Sequence, residues 1–256
     1  MCQWSAPSAT PRHDSCATLG QQSSASDNGN VGISAAAGNE IVGLFTKLVV
    51  PPKPPRVGTL YLWPGLQPRR GADYYPIDNG VLQPVLTWGP SPCAAGKQPE
   101  EFSTWWISGQ YVNSFGNYTG YEGCHSGPVM AVNPKDQLLI GMSLFQSIWT
   151  QTVLVLGTTK YTDFHFGLGT QAQGFAWFSI EPYDGAISSD VEFLQTTIGF
   201  ARPDPTNCKL EARGPDDEIT APISIGDGRS CYIEKITLKP PPPPQPQSAK
   251  PRAQFR

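Results

Sequence analysis

The sequence predicts an all-β protein, an antiparallel β-sandwich of the concanavalin A-like or jelly-roll kind. Turn-forming residues are frequent, with 26 Gly and 27 Pro among 256 residues, and they divide the chain into short apolar runs separated by turns. The runs follow one another at intervals of roughly 10–12 residues, and none has a helical period of useful length. Two packed antiparallel sheets are the arrangement that this pattern favours.

The expected strands begin at residue 41. The first run ends at Pro51 and Pro52, and because proline cannot donate to a ladder, residues 51–56 should form an extended turn. Asp78, Asn79 and Gly80 form a strong turn signal before the next part of the sheet. The expected strands are 41–50, 57–63, 80–89, 102–113, 129–132, 138–144, 148–156, 161–168, 175–181 and 193–201, with two more short strands within 211–238.

The chain divides into three parts by composition. Residues 1–38 are rich in Ser, Ala, Gly, Asn and Gln without any period, which predicts a loosely ordered arm tethered by its two cysteines. Residues 39–239 carry the strand pattern and form the sandwich domain. Residues 240–256 begin with polyproline and predict a disordered tail.

The charge pattern argues against nucleic acid and membranes as partners. The formal net charge is -3, and no basic stripe alternates with the aromatic residues, as nucleic-acid binding would require. The most apolar segment, residues 138–156, is interrupted by Gly, Ser and Gln and is no membrane span. We expect a monomer that uses no cofactor.

The cysteines predict disulfides and an oxidising compartment. None of them lies in a Cys-x-x-Cys pair, so a zinc site is not favoured. Six cysteines allow 15 pairings, of which pairing of neighbours in chain order is the simplest. The six are Cys2, Cys16, Cys93, Cys124, Cys208 and Cys231.

A secreted glycoprotein is therefore expected. Asn117 begins an Asn-Tyr-Thr acceptor triplet in a loop of Gly, Asn and Tyr, which predicts a glycan on Asn117. The N-terminus MCQWSAPS lacks the basic start and the apolar run of a signal peptide. We infer that a signal was removed before this numbering begins.

Residues 80–113 are the stretch around which the other strands are organised. Two strand-like runs flank a loop, and strand side chains alternate between two faces. A glutamine close to tryptophans suits a cleft with a polar floor and aromatic walls, and it also suits a surface glutamine above core tryptophans. The alternation places Val81, Gln83, Val85 and Thr87 on one face and Leu82, Leu86 and Trp88 on the other.

The second run offers two faces to that cleft. Trp105 and Tyr111 share one of these faces. The other face is the more polar, so we assign it to ligand binding, together with two tryptophans from other strands. The expected ligand-binding residues are Trp106, Gln110, Thr104, Ser108, Trp63 and Trp149.

The central stretch resembles a segment of the secreted fungal glutamic peptidases, the eqolisin family. In GVLQPVLTWG…FSTWWISGQYVN, the Val-Leu-Gln run is similar to the strand that carries the family's catalytic glutamine, and the second run to the aromatic strand that follows. Further strands match in the same order along residues 40–238. They are EIVGLFTKLVVPPKPP, GTLYLWPGLQ, VNPKDQLLIGMSL and AQGFAWFSIEPYD.

The resemblance implies a catalytic pair, in which a glutamate activates water and a glutamine binds the carbonyl oxygen. Gln83 matches the glutamine. The glutamate should precede the tryptophan of an Ala-Glu-Trp strand, where this chain has Ala176. The nearest carboxylate, Glu181, lies at an odd spacing and so on the opposite strand face from Ala176. An active glutamic peptidase is therefore not expected.

Other catalytic constellations are weaker. The three histidines, His13, His125 and His165, are isolated, and neither a Gly-x-Ser-x-Gly elbow nor a His-Glu-x-x-His helix occurs. No metal site is proposed.

The sequence thus predicts a secreted protein that binds a small molecule, a glycan or a peptide in an aromatic-lined concave cleft. It could be a repurposed enzyme of isomerase or cyclase type, in which Gln83 orients a neutral substrate by proximity rather than by a strong base. Three alternatives stay open. They are a lectin-like binder without turnover, an interaction protein that uses the proline tail, and a divergent acid endopeptidase that pairs Gln83 with Glu181.

Overall fold

The computed structural model confirms the all-β prediction. It describes residues 28–55, 58–68, 80–94, 104–113, 120–183 and 189–241. These residues form sixteen strands and no helix, so they include no helix that could cross a membrane. The strands are β1 (Asn30–Ser34), β2 (Ile41–Val49), β3 (Thr59–Gln67), β4 (Val81–Trp88), β5 (Trp105–Asn113), β6 (Gly123–Ser126), β7 (Met130–Val132), β8 (Gln137–Phe145), β9 (Ile148–Val155), β10 (Tyr161–Gly167), β11 (Phe175–Tyr183), β12 (Val191–Phe200), β13 (Lys209–Arg213), β14 (Glu218–Ile219), β15 (Ile223–Ile225) and β16 (Ser230–Leu238).

The strands form two antiparallel sheets that pack as a sandwich. In sheet A the order is β13-β1-β11-β3-β4-β5, and both β6 and β7 pair with β5. In sheet B the order is β10-β9-β8-β2-β12-β16, and both β14 and β15 pair with β16. Strands far apart in sequence, such as β1 and β11 or β2 and β12, are neighbours, so the chain crosses repeatedly between the sheets.

The main core lies between the sheets and follows the two-residue alternation of the strands. On β4, Leu82 and Leu86 are fully buried in this core. Val81 and Val85 belong to a separate cluster on the other side of sheet A, which is the alternation that the sequence predicts. Burial of each leucine contributes roughly 1.5–3 kcal/mol, so the register of β4 is strongly fixed.

β3 is longer than the sequence predicts, because it continues past Trp63 through Pro64 to Gln67. Proline is disfavoured inside a central strand, since it has no N–H for the ladder. The register places Pro64 opposite Pro84 of β4, so the two prolines share a single interruption. The ladder is paired on both sides of that interruption, Leu62 with Leu86 and Leu66 with Leu82.

The sandwich begins earlier than residue 39, because β1 lies inside the segment assigned to the loose arm. All five of its residues are buried, and it pairs with both β11 and β13. Its middle residue is Gly32, where a Cβ would lie 2.5 Å from the rings of Phe175 and Trp177. Residues 1–27 of the arm and 242–256 of the tail lie outside the described residues.

Two disulfides follow the in-order scheme. Cys93 bonds to Cys124, and Cys208 bonds to Cys231. The first ties the loop after β4 to β6, and the second ties the entry of β13 in sheet A to β16 in sheet B. Cys2, Cys16 and the predicted glycan site Asn117 lie outside the described residues.

Asp217 joins the two sheets at the start of β1. Its buried carboxylate accepts hydrogen bonds from the backbone N–H groups of Gly29 at 2.9 Å and Asn30 at 2.8 Å. It also accepts one from the N–H of Lys239, directly after β16, at 2.7 Å. One carboxylate thus satisfies three backbone donors from two sheets.

Replacing Asp217 with alanine should lower the free energy of unfolding by about 3 kcal/mol, because it leaves these donors without their charged acceptor. Urea denaturation at pH 7 measures the change. Asp216→Ala is the matched control. Among the described residues, the exposed side chain of Asp216 bonds to Asn28 alone, so a loss below about 1 kcal/mol is expected there. Equal losses in the two variants would show that Asp217 is no anchor.

Candidate functional site

The face of sheet A that points away from sheet B, termed the outer face, carries the glutamine singled out by the sequence. The registers of β11, β3, β4 and β5 arrange its side chains in rows. One row holds Trp177, Gly65, Gln83 and Gln110. The next holds Ser179, Trp63, Val85 and Ser108, and the third holds Glu181, Tyr61, Thr87 and Trp106.

Gln83 is half-buried near the middle of the outer face. No described residue hydrogen-bonds to its side-chain amide. Its neighbour on β3 is Gly65, where a Cβ would lie 2.7 Å from the ring of Trp63 and 2.9 Å from Val81. Because glycine leaves this space free, the Trp63 indole occupies the position beside Gln83. The Gln83 amide, which makes no hydrogen bond to a described residue, therefore lies next to the aromatic ring of Trp63.

Ser108 and Gln110 share the face of Gln83, as the alternation predicts, and both are buried. The Gln110 amide donates to Ser108 Oγ at 3.0 Å. Gln151 of β9 holds the Gln110 backbone from below, donating to its carbonyl at 2.8 Å and accepting from its N–H at 3.1 Å. The pair forms a fixed polar border beside Gln83.

Trp106 lies on the same face but is covered by protein. Only 1% of its surface is exposed, it packs against Ala94 and Val129, and its indole N–H donates to the Gly89 carbonyl at 3.0 Å. Thr104 is half-buried and donates to the Val132 carbonyl at 3.4 Å. Trp106 therefore anchors the loop after β4, and its replacement by alanine would cost stability, about 3–5 kcal/mol.

Trp63 and Trp149 do not share a cleft, which corrects the sequence assignment of Trp149. Trp63 lies on the outer face of sheet A. Trp149 lies in the core between the sheets and borders a separate cavity of about 300 Å³ with Glu40, Leu168 and Gln171. Alternation within one strand cannot tell which sheet that strand joins.

Several polar atoms of the outer face are buried without a hydrogen-bond partner. Within the described residues they are Trp63 Nε1, Thr87 Oγ1, Asn30 Nδ2 and both amide atoms of Gln67. A buried polar group that makes no hydrogen bond costs about 1–3 kcal/mol. These atoms have no accessible surface, so only enclosed water could remove that cost. The polar side chain of this face that a ligand can reach is the half-buried Gln83, so the outer face is where we place the functional site.

Ala176, which stands where the resemblance places the catalytic glutamate, points into the core and is fully buried. The residue of β11 in the row of Gln83 is Trp177. Since a shift of one residue moves a side chain to the other face of the strand, even a glutamate at position 176 would point away from Gln83. Among the described residues, no glutamate lies in the row of Gln83.

Glu181 does lie on the outer face, opposite in direction to Ala176 as its spacing predicts. It is four residues and two strands away from Gln83, which corresponds to about 16 Å between the Cα atoms. A general base and an oxyanion donor must both contact one reacting group. This separation is too large for Glu181 and Gln83 to act as such a pair.

The surroundings of Glu181 favour its uncharged form. Burial raises the pKa of its carboxyl to about 7, and the nearby indole N–H of Trp63 acts in the opposite direction. The charge of Glu181, then burial and Tyr61, raise the pKa of the Tyr183 phenol. Tyr61 and Tyr183 meet edge to face with ring centroids 5.3 Å apart.

The histidines form no further centre in the described part of the chain. His165 lies on sheet B, exposed, with Nε2 3.0 Å from Asp163 Oδ2 and Nδ1 3.0 Å from Thr150 Oγ1. His125 of β6 hydrogen-bonds with the backbone carbonyl of Glu122. His13 lies outside the described residues. No three His, Cys, Asp or Glu side chains in the described ranges are placed to hold a metal ion.

Sequence reasoning missed the contribution of β3. In TLYLWPGLQ the residues Tyr61, Trp63, Gly65 and Gln67 alternate with leucines, a period-two signal that continues through the proline. Ending the strand at Trp63 hid Gln67 and the glycine that accommodates the indole. The alternation itself was visible in the sequence.

The strand order and the packing of the two sheets define an all-β sandwich with a glutamic-peptidase-like fold. No family model and no curated protein matches the sequence. Among solved structures, scytalidoglutamic peptidase with a peptide-based transition-state analogue matches with a TM-score of 0.50 and 12% identity, over 84% of this chain and 98% of that chain. The same enzyme with a transition-state analogue inhibitor matches with a TM-score of 0.49 and 14% identity, over 82% and 98%. The distant resemblance inferred from the motifs is thus confirmed at the level of fold.

Glu181→Gln should stabilise the protein above neutral pH. A carboxyl whose pKa is about 7 when folded and 4.5 in the reference state contributes stability below pH 4.5 that is lost as the pH rises through 7. The side chain is half-buried, so we expect a gain on the order of 1–2 kcal/mol at pH 8 relative to pH 4.5.

Thermal unfolding of both proteins at the two pH values measures this gain. Glu218→Gln is the control, because that side chain is 70% exposed and should show no such pH-dependent difference. A Glu181→Gln variant that is less stable than the parent at pH 8 would contradict the assignment.

Proposed function

We propose that this protein is a secreted, non-peptidase protein that binds a neutral, hydrogen-bonding ligand on the outer face of sheet A, around Gln83. The observation that supports this best is the half-buried Gln83 amide, which has no partner among the described residues and lies beside the Trp63 ring. Turnover of that ligand by an isomerase- or cyclase-like reaction is part of the proposal.

The charge of the outer face supports a neutral ligand. Strands β3, β4, β5 and β11 carry a single carboxylic acid, Glu181, and no Lys, Arg or His residue. A phosphate or carboxylate ligand would require arginine or lysine. Amide, hydroxyl and indole groups are suited to carbonyl and hydroxyl oxygens, and the Trp63 ring to an apolar surface.

The comparison structures carry an acid-protease chemistry that this site does not reproduce. Ala176 is in the core, and Glu181 lies about 16 Å from Gln83. Both facts argue against a divergent endopeptidase that uses Gln83 with Glu181. A lectin-like binder would use the same residues without turnover, so only a product assay distinguishes it from an enzyme.

The two disulfides support secretion. Cys93–Cys124 and Cys208–Cys231 are most stable in an oxidising compartment. Secretion, the Asn117 glycan, the monomeric state and the absence of nucleic-acid and membrane partners remain predictions.

Gln83→Ala should weaken binding at least tenfold, the equivalent of the roughly 1–3 kcal/mol lost with a hydrogen-bonding group in a desolvated site. Panels of uncharged peptides, oligosaccharides and aromatic metabolites supply the ligand, and calorimetry on the best hit gives the affinity. The melting temperature should stay unchanged, since Gln83 bonds to no described residue.

Gln137→Ala, the same substitution at an exposed position of β8, is the control and should bind like the parent. Parental affinity in a folded Gln83→Ala variant would refute the placement of the ligand.

The protein should not digest denatured casein between pH 2 and 7, because the site lacks a paired general base. Peptide release is measured with pepstatin present to exclude contaminating aspartic proteases. Acid proteolysis that disappears in Gln83→Ala would show that the endopeptidase alternative is correct.

A further inference from the structure

Glu181 is a carboxyl held in an aromatic setting without a cation. Its neighbours across and along the strands are Tyr61, Trp63 and Tyr183. Within the described residues it forms no salt bridge. The buried indole N–H of Trp63 is directed at this carboxyl and favours its charged form, against the effect of burial. A carboxyl and two phenols therefore lie together on the outer face, with no described cation beside them.

Among the described residues, no charged group pairs with Glu181. On β3 the facing ionisable group is Tyr61, and on β11 it is Tyr183. Continuing the register of β1 by two residues brings Asn28 beside Glu181, and Asn28 is bonded to Asp216. The Asp217 carboxylate accepts hydrogen bonds from backbone N–H groups. No described lysine or arginine reaches the carboxyl, so its proton is free to move to or from a ligand.

We propose that Glu181 is a general acid–base residue for a neutral substrate with an enolisable ketone or aldehyde, and that the Tyr183 hydroxyl holds the substrate oxygen. This extends the proposed function by naming a reaction and a substrate class. It uses the end of the outer face opposite to Gln83, so it is tested independently.

The step is a proton transfer that needs no other reactant. The Glu181 carboxylate takes a proton from the carbon next to the carbonyl group. The C–H electron pair forms a carbon–carbon double bond, and the carbonyl pair moves to oxygen, where the Tyr183 hydroxyl stabilises the negative charge. The protonated carboxyl then returns the proton to the same carbon or, in a conjugated substrate, to a carbon two positions away, which gives the isomer.

The acid–base balance of the cluster suits this role. A general base is most effective when its pKa lies near the working pH, and that of Glu181 is about 7. The raised pKa of Tyr183 keeps its phenol protonated as a donor. Glu181 and Tyr183 are half-buried rather than covered, so a flat substrate can reach them from the outer face.

The test uses 2-tetralone, a neutral aromatic ketone with exchangeable α-protons, in D2O buffer. Proton NMR follows the loss of the α-proton signal between pH 5 and 9. The wild-type protein should accelerate exchange at least about tenfold over buffer, with a rate that rises through pH 7 as the carboxyl ionises. Glu181→Gln should reduce the rate to that of buffer, and Tyr183→Phe should lower it while keeping the pH midpoint.

Glu218→Gln, at a strongly exposed glutamate, is the matched control and should retain the wild-type rate. A wild-type rate equal to buffer, or a Glu181→Gln variant as active as the parent, overturns the proposal. A melting temperature for each variant excludes unfolding as the cause.

A second measurement addresses the carboxyl itself. A water-soluble carbodiimide adds to protonated carboxyl groups, and glycinamide then displaces the urea to leave an amide. At pH 6.5 Glu181 should be labelled at least about tenfold faster than Glu218, because the raised pKa of Glu181 keeps its carboxyl protonated there. Peptide mass spectrometry locates the label. An unlabelled Glu181 would overturn the proposal even if Gln83→Ala abolishes binding in the panel screen, so this inference and the proposed function can fail separately.

Discussion

The three strands in the middle of sheet A, β3, β4 and β5, are buried on both faces over most of their length, and this constraint shapes the rest of the molecule. The inner face of sheet A packs leucines, isoleucines and aromatic rings against sheet B. Its outer face is also largely covered, yet it carries Thr87, Ser108, Gln110 and Ser179. Burying polar side chains is unfavourable unless they are hydrogen-bonded. Only some of these groups form hydrogen bonds with neighbouring residues. The outer face therefore carries buried polar groups in a protein whose stability comes mainly from apolar contacts.

The fold could be read from the sequence because its signals are local and repeated. Alternation of apolar side chains located β2, β4, β5, β8 and β9, and turn residues separated them. β1 was missed because NVGIS is five residues long with glycine at its centre and follows a stretch without any pattern. β3 was cut short at Trp63 because Pro64 normally excludes a central strand. Only the partner strand shows why proline is tolerated there, and partners are not visible in a single sequence.

The site was predictable to the extent that it follows alternation. Gln83, Ser108 and Gln110 share one face as expected. The covering of Trp106 by Ala94 and Val129 depends on a loop held by Cys93–Cys124, and the place of Trp149 depends on which sheet β9 joins. Such contacts between distant segments decide which residues are open to a ligand. The pKa of Glu181 likewise results from burial by neighbouring strands and not from the residues next to it in sequence.

The match to the glutamic peptidases shows what a short motif can and cannot specify. The order of similar strands along the chain agrees with a shared fold, which the 0.50 TM-score supports. The Ala-Trp match at Ala176 fixes neither the direction of the side chain nor its distance from Gln83. Strand faces exchange with every residue, so catalytic geometry can be lost while strand order persists.

The facing prolines of β3 and β4 have a mechanical consequence. Pro64 and Pro84 divide the contact between these strands into two short ladders, with Gly65 and Gln83 beside the gap. Sheet A is therefore joined across its middle by side-chain packing rather than by amide bonds. A force that pulls β3 and β4 apart is therefore carried by the ladder pairs on either side of this seam, Leu62 with Leu86 and Leu66 with Leu82.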